Sequence, residues 1–166
     1  MSLRYILPLF LIVCVSAWLS FRPQHSAESP ARQIDERFKA ALAQLDQETE
    51  KLLSAAQLLD KRQSLEVLRS QLIATRLQFK KTEALASHLS GEFVKDYFNG
   101  PPLPKIERNV PSRVNVLEPE GLQILDELIF SETALEEKET IIAKAATLRK
   151  QSALFLRSQA ARKPLT

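Results

Sequence analysis

Two carboxylates beside a glycine, Glu118 and Glu120 ahead of Gly121, mark the least generic stretch of this 166-residue chain, Asn115 to Phe130. Two readings of it stay open. In one it is a well-capped core helix. Pro119 suits a first helical position, where its fixed φ fits and its missing N–H costs nothing. Leu117 and Leu122 then form a hydrophobic staple, and the two glutamates sit at the positive end of the helix dipole. In the other reading the stretch is a binding site. Gly121 lowers helix propensity, which makes sense where a backbone or a ligand approaches closely.

Arg76, Lys80 and Glu83 form a second set, on the flank of an upstream helix. Arg76 and Lys80 are candidate partners for the carboxylates of the 115–130 stretch. With Glu83, Glu118 and Glu120, Arg76 would surround a small molecule or a metal ion. The alternative is structural: Arg76 bonded to a carboxylate of a neighbouring helix, a half-buried pair that fixes register and adds little net stability. The full candidate binding set is Arg76, Lys80, Glu83, Glu118, Glu120, Gly121 and Gln123, with no catalytic and no metal residue assigned.

Other chemistries fit the residues poorly. Cys14 is the single cysteine, so neither an intramolecular disulfide nor a Cys-x-x-Cys-His haem attachment is available. His25 and His88 lie far apart without further ligands at zinc spacing. There is no Gly-x-Ser-x-Gly elbow, which leaves a hydrolase the weakest of three function classes. The net charge is only +3, with both signs interspersed, so no nucleic-acid surface is expected.

The elements that position these residues read as helices. The chain has three glycines and long Ala/Leu/Gln/Glu/Lys-rich stretches, and its apolar fraction of 45% is enough for one core. Ser29-Pro30 is a good helix start, and Ile34, Phe38, Ala41, Leu42, Leu45, Leu52, Ala56 and Leu59 repeat at helical spacing to about residue 59. A second helix is expected from about Ser64 to His88, ended by Gly91, with a further turn or two between Glu92 and Phe98. Leu65, Leu72, Phe79 and Ala86 recur every seven residues, with Leu68, Thr75, Thr82 and Leu89 between them, a bundle seam. The proline cluster Pro101, Pro102 and Pro104 opens a long extended crossover to about Asn115. The third helix is the stretch around Glu120. Thr133 with Glu136 makes a capping box for a fourth helix, which reaches about Ala160. The expected fold is therefore all-α: a four-helix up-and-down bundle with one long proline-rich crossover.

Ahead of it stands an export segment. Met1–Arg4 carries one positive charge, Tyr5–Val15 is almost continuously apolar, and Val15-Ser16-Ala17 suits a signal peptidase. We read 1–17 as a signal peptide, with an uncleaved anchor to about residue 21 as the alternative. Residues 18–28 are a tether, 29–160 the bundle domain, and 161–166 a basic tail or linker start. Either N-terminal reading places the protein outside the cytoplasm, periplasmic or anchored and facing the periplasm, with the membrane met only through this segment.

Two stretches carry a resemblance: Thr75-Arg76-Leu77-Gln78-Phe79-Lys80-Lys81-Thr82-Glu83, and Phe98-Asn99-Gly100-Pro101-Pro102-Leu103-Pro104 through Leu117-Glu118-Pro119-Glu120-Gly121-Leu122-Gln123. In order and spacing they resemble the helical N-terminal region ahead of the haem domains in some di-haem cytochrome c peroxidases. More distantly, the chain is similar to imelysin-type helical proteins of bacterial envelopes, whose mark is Gly-x-His-x-x-Glu. The corresponding residues here are Gly121, Gln123 and Asp126, so the histidine ligand is replaced. The first resemblance implies a non-catalytic exported module beside a di-haem peroxidase or its electron donor, with haem only on that partner or a separate domain. The second implies an envelope ligand- or metal-binding module with a degenerate motif.

Overall fold

The computed structural model describes residues 29–100, 103–107 and 115–163. The signal peptide or anchor, the tether to residue 28, Pro101, Pro102 and the last three residues of the basic tail lie outside them. The described residues from Ala31 onward belong to one compact unit. The architecture is all-helical. Among the described residues four helices, α1 (Pro30–Gln57), α2 (Arg62–Tyr97), α3 (Leu122–Phe130) and α4 (Lys138–Ala161), are accompanied by one small ribbon of β1 (Lys105–Glu107) and β2 (Asn115–Leu117).

The three long helices bury residues at alternating spacings of three and four, which keep one stripe facing a neighbour. On α1 the stripe is Asp35, Phe38, Leu42, Leu45, Thr49, Leu52 and Ala56, continued by Leu59 beyond the helix end. On α2 it is Leu65, Leu68, Leu72, Thr75, Phe79, Thr82 and Ala86. On α4 it is Ile141, Ala145, Leu148, Ser152, Phe155 and Gln159. Short α3 adds Leu122, Leu125 and Ile129. Ile34, expected on the buried face of the first helix, is instead 54% exposed. Asp35 takes the seam position, because it has partners from two helices that satisfy its charge.

Side-chain bonds fix the helix directions. Gln78 donates to the Ala41 carbonyl at 2.9 Å, while Gln71, about two turns earlier on the same helix, donates to Glu48 at 2.7 Å. Arg149 meets Asp46 at 2.6 Å, and Arg162 meets Asp35. Arg69 donates to the Ile129 carbonyl at 3.2 Å, and Arg76 meets Asp126 at 2.8 Å. In each pair of contacts one number rises as the other falls. So α1 is antiparallel to α2 and to α4, and α2 is antiparallel to α3.

Element boundaries differ from the sequence reading in four places. Helix α2 starts at Arg62, and Ser64 folds back so that its hydroxyl accepts from the Lys61 and Asp60 N–H groups at 3.1 and 3.0 Å. Gly91 does not end α2. The backbone kinks at Ser90, with φ −153° and ψ 53°, and the helix resumes to Tyr97. Burial of Val94 and Phe98 beyond the kink outweighs the weak helix propensity of the Ser-Gly pair. Helix α3 does not start at Pro119, because Asn115–Leu117 pairs with Lys105–Glu107 in antiparallel register, Ile106 opposite Val116. Leu117 thus belongs to a strand, and the expected staple with Leu122 does not form in a helix. Helix α4 starts at Lys138, five residues after Thr133. The intervening residues form turns in which the Glu136 and Glu137 N–H groups donate to the Thr133 carbonyl at 2.9 and 3.1 Å. Ala134, fully buried, anchors those turns.

Candidate functional site

The approach to α3 is built around backbone contact. Gly121 has φ 99° and ψ −167°, a conformation essentially confined to glycine. A Cβ there would stand 2.8 Å from the Phe98 carbonyl oxygen and 3.0 Å from that of Tyr97. The next residue, Leu122, donates its N–H to the Phe98 carbonyl at 3.0 Å. Gly121 therefore lets the start of α3 hang directly from the end of α2. Of the two reasons for a glycine here, a close-packed backbone is the one realised.

Phe98 in turn is held by rings. It stacks on Phe79 with centroids 5.4 Å apart and 5° between planes, and meets Phe93 and Phe155 at 6.1 Å each. Phe93 also stacks on Phe155 at 5.3 Å and tilts against Tyr97 at 5.0 Å. These contacts join both sides of the Ser90 kink to α4. Such ring pairs add roughly 0.5–1.5 kcal/mol each beyond area burial.

Glu120 points to α4. Its Oε1 lies 3.0 Å from Lys144 Nζ, which also donates to the Pro119 carbonyl at 2.9 Å. Both side chains are mostly covered. The second oxygen, Glu120 Oε2, is buried with no hydrogen-bond partner. This is the one orphaned side-chain atom among the described residues. Lys144 was not in the candidate set, and only its position facing the junction reveals it.

The remaining candidates sit elsewhere. Arg76 reaches Asp126 of α3, and the two side chains are 40% and 42% exposed. It thus adopts the bond to a neighbouring helix's carboxylate, with Asp126 rather than Glu118 or Glu120. Lys80 turns along its own helix to Glu83 at 2.6 Å, and Asn99 donates to the other Glu83 oxygen at 2.8 Å. Glu118 and Gln123 are exposed. The seven residues are therefore not brought together: Glu120 joins α4, Gly121 and Arg76 join α3 to α2, Lys80 and Glu83 form an α2 surface group, and Glu118 and Gln123 stand exposed.

Two ion-pair sets that sequence reading missed tie α1 to α4. Arg149 bridges Asp46 and Glu50, at 2.6 and 2.9 Å. Asp35, buried, is held by Lys39 at 3.0 Å and by Arg162. The Lys39 hydrogen bond, reinforced by Arg162 against the opposing effect of burial, holds the Asp35 carboxyl below the usual aspartate value. Glu48 is likewise lowered, by hydrogen bonds from Lys51 and Gln71. An aspartate at a seam position three residues ahead of Phe38 was the available signal for the Asp35 set.

Among the described residues no group of three or more His, Cys, Asp or Glu side chains is placed to hold a metal ion. No described helix is long and apolar enough to cross a membrane. His88 is exposed. A shallow groove of about 460 Å³ runs along α2 by Glu66, Val67 and Ser70, and one of about 340 Å³ lies between α1 and α2 by Phe38 and Lys81. No protein-family model, curated protein or solved structure matches the chain.

Proposed function

We propose that this chain is a non-catalytic, exported helical module with a docking or structural role in the bacterial envelope. The single observation behind this is where its distinctive residues are engaged. Gly121 is used in a backbone contact, Glu120 in a clamp to Lys144, and Arg76 in a bridge to Asp126. Each joins one helix to another. We further read the four helices as an up-and-down bundle with the Leu103–Leu117 segment as its crossover. The antiparallel bonding pattern and the four-residue link between α1 and α2 favour that reading.

The partner we propose is a di-haem cytochrome c peroxidase or its electron donor, with haem on that protein. This rests on the resemblance of the 75–83 and 98–123 segments. Co-purification from an envelope extract followed by haem staining tests it. A haem protein retained at moderate salt is the expected result, and recovery of the bare chain under all salt conditions refutes it. Export is tested separately by mass spectrometry of the mature chain, which should begin at Trp18 if cleavage follows Ala17.

A second reading, an imelysin-like ligand- or metal-binding module, is favoured by one feature, the orphaned Glu120 Oε2. Thermal shift against divalent metals and small anions discriminates. Stabilisation that disappears in Glu120→Gln supports this reading, and no stabilisation by any of them removes it.

A further inference from the structure

Helix α2 carries a second seven-residue pattern on the face opposite its buried seam. Leu77 is 62% exposed, Val67 59% and Ile73 49%, and Ala74 and Ala84 continue the stripe. Single exposed aliphatic residues are ordinary. Residues aligned at 67, 70, 73–74, 77, 80–81 and 84 form a seam wanting a helix, by the spacing rule that builds the core. Nothing about this stripe depends on the peroxidase partner proposed above.

The charges on the stripe say which helix fits. Glu66 lies toward one end, paired with Arg69, and the bases Lys80 and Lys81 lie toward the other, Lys80 paired with Glu83. We infer that the outer face of α2 binds the same face of a second copy of this chain, antiparallel, about a two-fold axis between Ile73 and Ala74. In that register Glu66 faces Lys81 of the copy, Ser70 faces Leu77, and Ile73 faces Ala74. Lys80 lies over Val67 with its aliphatic stem, a placement suited to a long cationic side chain. Leu77 enters the groove of about 460 Å³ bounded by Val67, Ser70 and Gln71, which the same copy offers in return. Such an isologous interface is self-complementary by construction. A parallel pair would set Glu66 against Glu66 and Lys81 against Lys81. The Glu66 carboxylate already accepts from Arg69 at 2.8 Å, and its two oxygens leave room for another donor. Lys81 now donates to Gln78 Oε1 at 3.0 Å and needs only a rotamer change to reach across.

Sedimentation equilibrium and disulfide mapping on the full chain test this. The expected mass is twice 18.8 kDa. Leu77→Glu should weaken self-association by roughly tenfold or more. Glu66→Lys should weaken it too, and Glu66→Lys with Lys81→Glu in one chain should restore it. In a Cys14→Ser background, a mixture of Ser70→Cys and Leu77→Cys chains should cross-link to each other on oxidation. Leu77→Cys alone should cross-link poorly, since its two copies are offset by about 10 Å along the helices. A monomer at about 100 µM overturns the proposal. So does a dimer indifferent to Leu77→Glu, which would place association in another segment such as Tyr5–Phe21. Equal cross-linking of Leu77→Cys with itself also overturns it.

Discussion

Replacing Gly121 by alanine tests whether the α2–α3 junction is held as described. At φ 99° and ψ −167° an L side chain costs about 1–3 kcal/mol in backbone strain. The added Cβ would also meet the Phe98 carbonyl oxygen at 2.8 Å and its carbon at 2.9 Å. Both are backbone atoms of a residue locked between Phe79 and Phe155, so they do not yield as the tip of a flexible side chain would. Relief requires α3 to move away, which weakens the Leu122 N–H to Phe98 bond, a loss of about 1 kcal/mol. Alanine also reduces the entropy of the unfolded chain, which returns roughly 0.4–1 kcal/mol. The net is a loss of about 1–3.5 kcal/mol, or roughly 3–10 °C in Tm for a chain of this size.

Urea denaturation at unchanged m-value is the suitable assay, because it separates lost stability from altered compactness. Gly91→Ala is the matched control. A Cβ at Gly91 meets nothing within 4 Å, and the site is exposed and helical. That substitution should stabilise by roughly 0.5–1 kcal/mol through helix propensity. Two Gly→Ala changes in one chain thus carry opposite signs. A Gly121→Ala protein within about 0.5 kcal/mol of the parent would refute the account of the junction.

Three further outcomes follow from the ion pairs. Lys144→Met leaves the mostly covered Glu120 carboxylate without its cation and should destabilise by about 1–3 kcal/mol. Adding Glu120→Gln should recover part of that loss, and a double mutant as unstable as the sum of the singles would contradict the pairing. Arg76→Gln should change stability by less than about 1 kcal/mol in urea melts, since the Asp126 pair is well exposed and screened. The Asp35 pKa is lowered on folding from an ordinary 3.8, so the folded state binds fewer protons there than the unfolded state. Its stabilising contribution is therefore complete above about pH 4 and lost as pH falls through the lower folded value. Asp35→Asn should flatten the stability profile below about pH 4, and a profile that keeps its parent slope there would show that Asp35 is not the group responsible.

How much was legible in the sequence varies with what decides each feature. The seam of α2 was, because Leu65, Leu72 and Phe79 recur every seven residues and Thr75 and Thr82 fit the same register. The helical class was legible for the same reason. The boundaries at Gly91, Pro119 and Thr133 were not. Each was read from local chemistry, and each was overridden by a distant contact: the rings around Phe98, the pairing of β1 with β2, and the burial of Ala134. Arg76 bonding to a neighbouring helix was foreseeable from its flank position, whereas its choice of Asp126 depended on the antiparallel offset of α3. Glu120 and Gly121 were recognisable as unusual, and the reason for the glycine lay twenty-three residues upstream in the Phe98 carbonyl.

The polar members of the seams explain why charge reading found the wrong partners. Asp35, Thr49, Thr75, Gln78, Ser152 and Gln159 are all buried at core-facing positions. Thr49 and Gln159 bond within their own segments, whereas Asp35, Thr75 and Gln78 also bond across to another element and so depend on register. Gln78 reaches the Ala41 carbonyl, Thr75 the Glu48 carbonyl at 3.3 Å, and Arg162 binds Gln159 Oε1 at 3.0 Å while holding Asp35. Leucine seams alone tolerate a slip of one heptad, which would still bury leucine against leucine. A slip of α2 against α1 by seven residues would break the Gln78 bond to Ala41 and the Gln71 bond to Glu48, at about 1–3 kcal/mol for a buried amide left unpaired, while Thr75 keeps its bond to the Gln71 carbonyl of its own helix at 2.9 Å. A slip of α4 would separate Asp35 from Arg162 and Asp46 from Arg149 together. The heptad spacing of α2 shows Thr75 and Thr82 as seam members, but nothing in the spacing marks Asp35, Gln78 or Gln159 as core-facing, and Asp35 and Gln78 are positions that help select one register among several. In this chain the apolar stripes supply most of the burial, and the buried amide, hydroxyl and carboxylate groups decide which residue faces which.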